Sequence, residues 1–237
     1  MREGKQLSRF LVVMFFSVAM GFLEAVVVVY LRELYYPEGF RFPLVVLPST
    51  TVGIEYLREL ATLVMLAAVG YLAGRNFTGR FGWFLFSFGI WDLFYYVSLK
   101  LMLGWPLSWF TWDILFLIPV VWAAPVLAPV ISAVTMVVYG IILEVTGKGN
   151  PPPLARREWA FLLGGALIVF LTFIRDYGGL LWHYLLHGKG HGMNGEDLLT
   201  AVTTYVPQQF AWIPFLAGEV LIVVSLLLWV RRTRSVS

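Results

Sequence analysis

The chain has 237 residues, of which 59% are hydrophobic and only 13% are charged. Because a soluble domain carries about twice this share of charged residues, the composition excludes a water-soluble fold and predicts an integral membrane protein. The chain has no cysteine, which excludes iron–sulfur clusters and covalently attached haem. Its formal net charge of +3 comes from basic residues near the ends of apolar segments. We therefore expect contact with a lipid bilayer and not with nucleic acid.

The apolar segments are long enough to cross a membrane. Because about 20 apolar residues make one helical crossing, the pattern predicts an all-α, polytopic bundle of about six transmembrane helices. The predicted spans cover residues 10–31, 52–73, 82–103, a stretch within 113–145, 159–182 and 209–230. The first resembles a signal peptide, but its apolar run continues to Leu31, so we interpret it as an uncleaved span.

The fourth apolar segment is too long for one straight crossing. A helix of about 33 residues would measure near 50 Å, whereas the hydrocarbon core is about 30 Å thick. Pro119, Pro125 and Pro129 are the positions where it would break. The sequence therefore predicts a broken or re-entrant segment, in which residues 113–122 run along or dip into the membrane interface before a crossing that ends near Glu144.

The distribution of basic residues predicts the orientation. A single crossing at the fourth segment puts eleven of the seventeen lysines and arginines on one side, at positions 2, 5, 9, 75, 80, 148, 156, 157, 231, 232 and 234. The positive-inside rule therefore predicts cytoplasmic termini. Compact spans with short loops are typical of a bacterial or archaeal plasma membrane. The sequence is compatible both with partner subunits in a membrane complex and with a homo-oligomer.

We interpret residues 1–237 as a single membrane domain. Four spans lie in 1–146, a proline- and glycine-rich cytoplasmic linker covers 147–158, and two more spans with an outer loop lie in 159–237. Within that last part, residues 196–206 are apolar on one side and follow Asn194, which is a suitable capping residue. This pattern predicts a short helix lying on the outer membrane surface.

Charged side chains within the spans are the candidate functional residues, since each costs about 2.5–3.5 kcal/mol at the membrane centre. The predicted topology places nearly all of them in the outer half, which predicts one outward-facing polar cavity. Helical phase predicts that two glutamates of the second span flank an arginine. The alternative is ion pairs that only hold the bundle together, while Lys100 and Asp113 are interpreted as interface residues. The candidate site comprises Glu24, Glu55, Arg58, Glu59, Asp92, Tyr96, Arg175, Asp176 and Glu219.

The outer end of the fifth span carries a candidate transition-metal site. If the helix continues past Gly178 and Gly179, then Asp176, His183 and His187 lie within about 40° on one face, a ligand set that suits zinc, copper or iron. The alternative is that these histidines are solvated residues at the membrane boundary. All three histidines of the chain lie between 183 and 191, which argues against haem held by histidines of two helices.

Three functions are compatible with these patterns. The excess of acids within the spans favours a cation- or proton-coupled transporter, or an energy-coupling membrane subunit. The alternative is a membrane-embedded, metal-dependent enzyme acting on a lipid or anionic headgroup, with Glu55 or Glu59 as general base and Arg58 or Arg175 binding the anion. A structural subunit of a membrane complex is the third, and it predicts tight ion pairing and no cavity.

Overall fold

The computed structural model describes residues 2–188 and 195–236, and this part of the chain is mainly helical. The elements in chain order are α1 (Arg2–Tyr35), α2 (Ser49–Ala73), α3 (Phe77–Leu103), β1 (Trp112–Phe116), β2 (Trp122–Pro125), α4 (Leu127–Thr146), α5 (Arg156–His183), α6 (Gly195–Thr204) and α7 (Trp212–Val236). A π-helical turn, Tyr184–Gly188, follows α5 directly. The predicted all-α membrane bundle is confirmed.

Within the described residues, five helices are long and apolar enough to cross a membrane, and they lie in α1, α3, α4, α5 and α7. The sixth long helix is α2, which has 25 residues and at about 1.5 Å per residue also exceeds the thickness of the hydrocarbon core. It differs from the other five because three charged residues, Glu55, Arg58 and Glu59, lie in its first half. We treat α2 as the sixth span.

The bundle is organised around α3, which packs against α1, α2 and α4. Small residues let these helices approach closely, as is typical of membrane bundles. A Cβ atom at Gly21 of α1 would lie 2.5 Å from the carbonyl oxygen of Trp91 on α3, and one at Gly140 of α4 would lie 2.4 Å from that of Gly82. Backbone therefore contacts backbone along both faces of α3.

The second part of the bundle is the α5 and α7 pair, which contacts the rest through α4 and β2. The Tyr139 hydroxyl on α4 lies 3.0 Å from Ser225 Oγ on α7, and Ser225 donates to the carbonyl oxygen of Glu158 on α5 at 2.8 Å. The predicted linker joins the two parts at one end of the bundle. Asn76 holds it there by donating to the carbonyl oxygen of Pro151 at 2.8 Å.

The fourth apolar segment is broken, as predicted, and the break is an antiparallel β-hairpin, while its depth relative to the membrane interface stays a prediction. In this hairpin Asp113 pairs with Ala124, and Phe116 pairs with Trp122. Ala124 is completely buried among the helices. Since backbone N–H and C=O groups away from water need partners, the pairing of the two strands is the physical reason for a hairpin at this position.

A short helix follows the fifth span, as predicted, and it is α6. The predicted cap Asn194 lies outside the described residues, as do residues 189–193. Leu199 and Val202 of α6 face a cavity of the bundle, so this helix covers protein on at least one side. Its position at the membrane surface stays a prediction.

Candidate functional site

A cavity of about 290 Å³ lies between α1, α2, α3 and the β-hairpin. We call it the acidic cavity, because five carboxyl groups and two guanidinium groups line it: Glu24, Arg32, Glu55, Arg58, Glu59, Asp92 and Asp113. Tyr96 also lines it. Six of the nine predicted site residues are therefore brought together: Glu24, Glu55, Arg58, Glu59, Asp92 and Tyr96.

Arg58 joins two of the surrounding helices. Its Nε donates to Glu55 Oε2 at 2.7 Å within α2, and its Nη1 donates to Glu24 Oε1 on α1. The sequence predicted that Glu55 and Glu59 flank this arginine, but the second partner in the structure is Glu24. Glu24 on α1 takes the place predicted for Glu59, because α1 and α2 are in contact here.

Glu59 instead holds the tip of the hairpin. Both of its carboxylate oxygens lie 3.0 Å from the backbone nitrogen of Leu117, the first residue after β1. A backbone N–H in a turn has no partner in the strand pairing, so a buried turn needs an acceptor from elsewhere. Glu59 supplies that acceptor, and it is itself buried.

A second ion pair, which was not predicted from the sequence, joins α1 to β1. Arg32 Nη2 lies 3.1 Å from Asp113 Oδ1, and Asp113 also accepts from the Tyr96 hydroxyl at 3.2 Å. The Arg32 guanidinium lies 3.8 Å from the ring centre of Trp105 and 4.7 Å from that of Phe40, both cation–π contacts. The predicted first span ends at Leu31 and so places Arg32 in the loop that follows, and Asp113 was expected at the interface, whereas the structure buries both.

Asp92 is the carboxyl group of the cavity that has neither an ion pair nor a hydrogen-bond partner among the described residues. It lies on α3, deep in the protein, and its side chain is partly exposed to the cavity. Among the described residues it forms no ion pair and accepts no hydrogen bond. The charged groups that act on it are both acidic, Asp113 and Glu24. This carboxyl group is therefore free to interact with whatever occupies the cavity.

The rest of the cavity wall is apolar and aromatic. Segment 36–48 between α1 and α2 covers one side, and α6 covers another. Tyr36 in that segment accepts a hydrogen bond from the backbone nitrogen of Val45 at 2.9 Å. Burial raises the pKa of Tyr36 above its ordinary value, although this hydrogen bond opposes the shift, so the hydroxyl stays neutral. The apolar lining residues include Val28, Leu31, Leu44, Val52, Val121 and Val202.

The other three predicted site residues lie outside the acidic cavity. Arg175 and Asp176 of α5 line a separate surface pocket near Gln208 and Gln209, and the Tyr205 hydroxyl forms a hydrogen bond with Asp176. Glu219 of α7 is buried and accepts from Ser132 Oγ of α4 at 2.6 Å. Its second carboxylate oxygen has no partner among the described residues.

The candidate metal site of Asp176, His183 and His187 stays a prediction, because the side chain of His187 is outside the described part of the structure. Within that part, no three histidine or acidic side chains form a group that could hold a metal ion. The prediction assumed an α-helix through residue 187, but the π-helical turn Tyr184–Gly188 follows α5.

Comparison of the chain with protein-family models, with curated proteins and with solved structures gave no match. The functional argument therefore depends on the geometry and chemistry of the cavity itself.

Proposed function

We propose that this integral membrane protein transports a cation or couples transport to protons, and that the acidic cavity is its binding site. The observation that carries the proposal is Asp92, a deeply placed carboxyl group that opens into the cavity and faces no basic partner among the described residues. A carboxyl group inside a membrane is costly unless it binds a cation or takes up a proton, and both states are used in transport.

The charge balance of the cavity supports the same proposal. Five carboxyl groups and two guanidinium groups line it, and both guanidinium groups already contact carboxylates of the protein. If every group is ionised, the cavity is negative. In surroundings of low polarity such an excess is relieved either by protonation or by a bound cation. The cavity therefore exchanges protons against a cation more readily than it holds an anion.

The volume of the cavity argues against a purely structural subunit. That function predicts tight ion pairing and no cavity. Arg58 does pair with Glu24 and Glu55, as a structural function requires. A space of about 290 Å³ beside these pairs has no packing purpose, because close packing is what stabilises a bundle. The ion pairs thus form the wall of a binding site.

The predicted orientation places the mouth of the cavity outside the cell. The cavity lies between the C-terminal part of α1, the N-terminal part of α2 and the C-terminal part of α3. These ends face the outer side if both termini are cytoplasmic. Glu219, which lies outside the cavity and keeps one oxygen unpartnered among the described residues, is the candidate for continuing a path inward from the cavity.

The test is flux through the purified full-length protein in liposomes, with an internal pH-sensitive dye and with Na⁺ and K⁺ in separate runs. We expect proton or cation flux in the wild type and its loss in Asp92→Asn. Glu38→Gln is the matched control, since Glu38 is an exposed carboxylate 3.4 Å from Arg41 outside the spans. A silent wild-type protein overturns the proposal, as does an Asp92→Asn variant with unchanged flux.

A further inference from the structure

We infer that the acidic cavity selects an organic cation, with one ammonium group attached to a compact apolar or aromatic body. This inference rests on the proposed function and gives its substrate class. It is carried by three features of the cavity: the number of free carboxyl groups, the engagement of its arginines and the nature of its walls.

One carboxyl group of the cavity has no partner among the described residues of the protein. Arg58 is paired with both Glu24 and Glu55, and Arg32 is paired with Asp113. Glu59 is engaged through both oxygens by the backbone nitrogen of Leu117. Among the cavity carboxyl groups that the structure describes, this leaves Asp92 to contact a ligand directly. One unpartnered carboxyl group matches a ligand with a single ammonium group.

The arginines are not placed to receive an anion. The guanidinium of Arg32 stacks on Trp105, and its Nη1 atom is buried in the protein with no partner among the described residues, so this nitrogen does not face the cavity. Arg58 uses Nε and Nη1 for its two glutamates. An anionic ligand would therefore meet five carboxyl groups, and both guanidinium groups are already paired with carboxylates of the protein.

The walls favour an organic cation over a hydrated metal ion. Hard inorganic cations take several oxygen ligands at once, whereas most of the residues that line the cavity are apolar or aromatic. Trp91 and Tyr95 flank it along α3, and Val28 of α1 and Val121 of the hairpin lie across the cavity. Alkyl groups on an ammonium ion bury well against such walls, and aromatic faces attract the charge.

The size of the cavity limits the ligand to a small molecule. Its volume of about 290 Å³ is at the lower end of the range for ligand sites, which is about 300–1,000 Å³. Benzyltrimethylammonium is a suitable probe, because it has one permanent charge and an aromatic body. Neopentylbenzene is its neutral isostere, in which carbon replaces the charged nitrogen.

The experiment compares binding of these two probes to the full-length protein in nanodiscs, with empty nanodiscs subtracted as the lipid background. We expect the wild type to bind benzyltrimethylammonium at least about tenfold more tightly than neopentylbenzene. Equal affinities, or a preference for the neutral probe, overturn the inference. This comparison requires no variant, so a folding defect cannot obscure it.

A pair of variants then assigns the charge preference to one side chain. Asp92→Asn should remove most of the preference, whereas Glu38→Gln, which removes an exposed carboxylate, should retain it. If Asp92→Asn keeps its helical circular dichroism and the full preference for the cation, the assignment is wrong. A folded variant that loses the preference supports it.

The flux assay separates this inference from the proposed function. Proton, Na⁺ or K⁺ flux that depends on Asp92, together with no binding of benzyltrimethylammonium, leaves transport standing and overturns the organic substrate. Selective binding of the probe without any flux, including flux of the probe itself, overturns transport and leaves the cavity as a cation receptor.

Discussion

Arg32 Nη2 on α1 lies 3.1 Å from Asp113 Oδ1 on β1, and 81 residues separate the two in the chain. The Asp113 side chain is 2% exposed and that of Arg32 is 9% exposed. This buried pair fastens the β-hairpin to the first helix. The hairpin in turn supplies Leu117 and Val121 to the acidic cavity, so the shape of the cavity depends on the pair.

Asp113→Ala is expected to destabilise the protein strongly. Removing one partner of a buried ion pair costs about 3–5 kcal/mol, because the remaining charge is left without compensation. Arg32 stays charged in this variant and is held among apolar and aromatic groups. The thermal unfolding midpoint in detergent, followed by near-ultraviolet circular dichroism, measures the loss.

The double variant Arg32→Met with Asp113→Ala is the matched test of this explanation. It removes both charges, so we expect a midpoint above that of Asp113→Ala alone. Glu38→Ala, which breaks the exposed pair with Arg41, should change the midpoint little. A double variant that is less stable than the single variant would show that packing, and not the uncompensated charge, explains the effect.

The spans could be predicted from the sequence because they depend on local information. Hydrophobic length and helical period are properties of one segment, so the long helices were expected close to where they lie. The hairpin depends on the pairing of residues 112–116 with 122–125 and on the helices around it. The prolines indicated a break there, but they did not indicate which hydrogen bonds would replace the helical ones.

The cavity was predictable in part for a related reason. Glu55, Arg58 and Glu59 share a helix face, so their phase could be read directly. Their partners lie on other elements: Glu24 on α1 for Arg58 and Leu117 in the hairpin for Glu59. Arg32 did leave a signal, since it lies eight residues after Glu24, about two helical turns along the same face. Because the predicted span ended at Leu31, Arg32 was assigned to the loop and not to this helix face.

Gly140→Ala is expected to destabilise the contact between α3 and α4. A Cβ atom there would lie 2.4 Å from the carbonyl oxygen of Gly82 and 3.0 Å from Cβ of Phe86. Overpacking of this kind costs about 1–3 kcal/mol. Gly164→Ala on α5 is the control, because nothing lies within 4 Å of its Cβ position. That change should stabilise the protein by about 0.5–1 kcal/mol.

Thermal unfolding of both glycine variants against the wild type checks this prediction, and the two shifts should have opposite signs. Equal shifts would mean that the close approach of α3 to α4 is not important for stability.

Asn76 is expected to have two separable functions, in capping α3 and in holding the linker. Its Oδ1 accepts from the backbone nitrogen of Gly79 at 2.8 Å, and its Nδ2 donates to the carbonyl oxygen of Pro151 at 2.8 Å. Asn76→Asp keeps the acceptor and loses the donor, so it should free the linker while α3 stays capped. Asn76→Ala loses both and should cost about 1 kcal/mol more through the cap.

Limited trypsin cleavage after Lys148, an exposed residue next to the linker prolines, measures the freedom of the linker. Both variants should be cleaved faster than the wild type, whereas only Asn76→Ala should also lower the unfolding midpoint. Unchanged cleavage in Asn76→Asp would mean that the linker is held by other contacts.

Glu59 tests whether the hairpin tip depends on a hydrogen bond or on a charge. Glu59→Gln keeps a carbonyl oxygen that can accept from the backbone nitrogen of Leu117, whereas Glu59→Leu leaves that buried amide without an acceptor. An unsatisfied buried group costs about 1–3 kcal/mol, so hydrogen exchange in a peptide covering residues 112–122 should be at least about fivefold faster in Glu59→Leu. Exchange in Glu59→Gln should stay near the wild-type rate. If both variants exchange equally fast, the negative charge of Glu59, and not its role as an acceptor, holds the hairpin against α2.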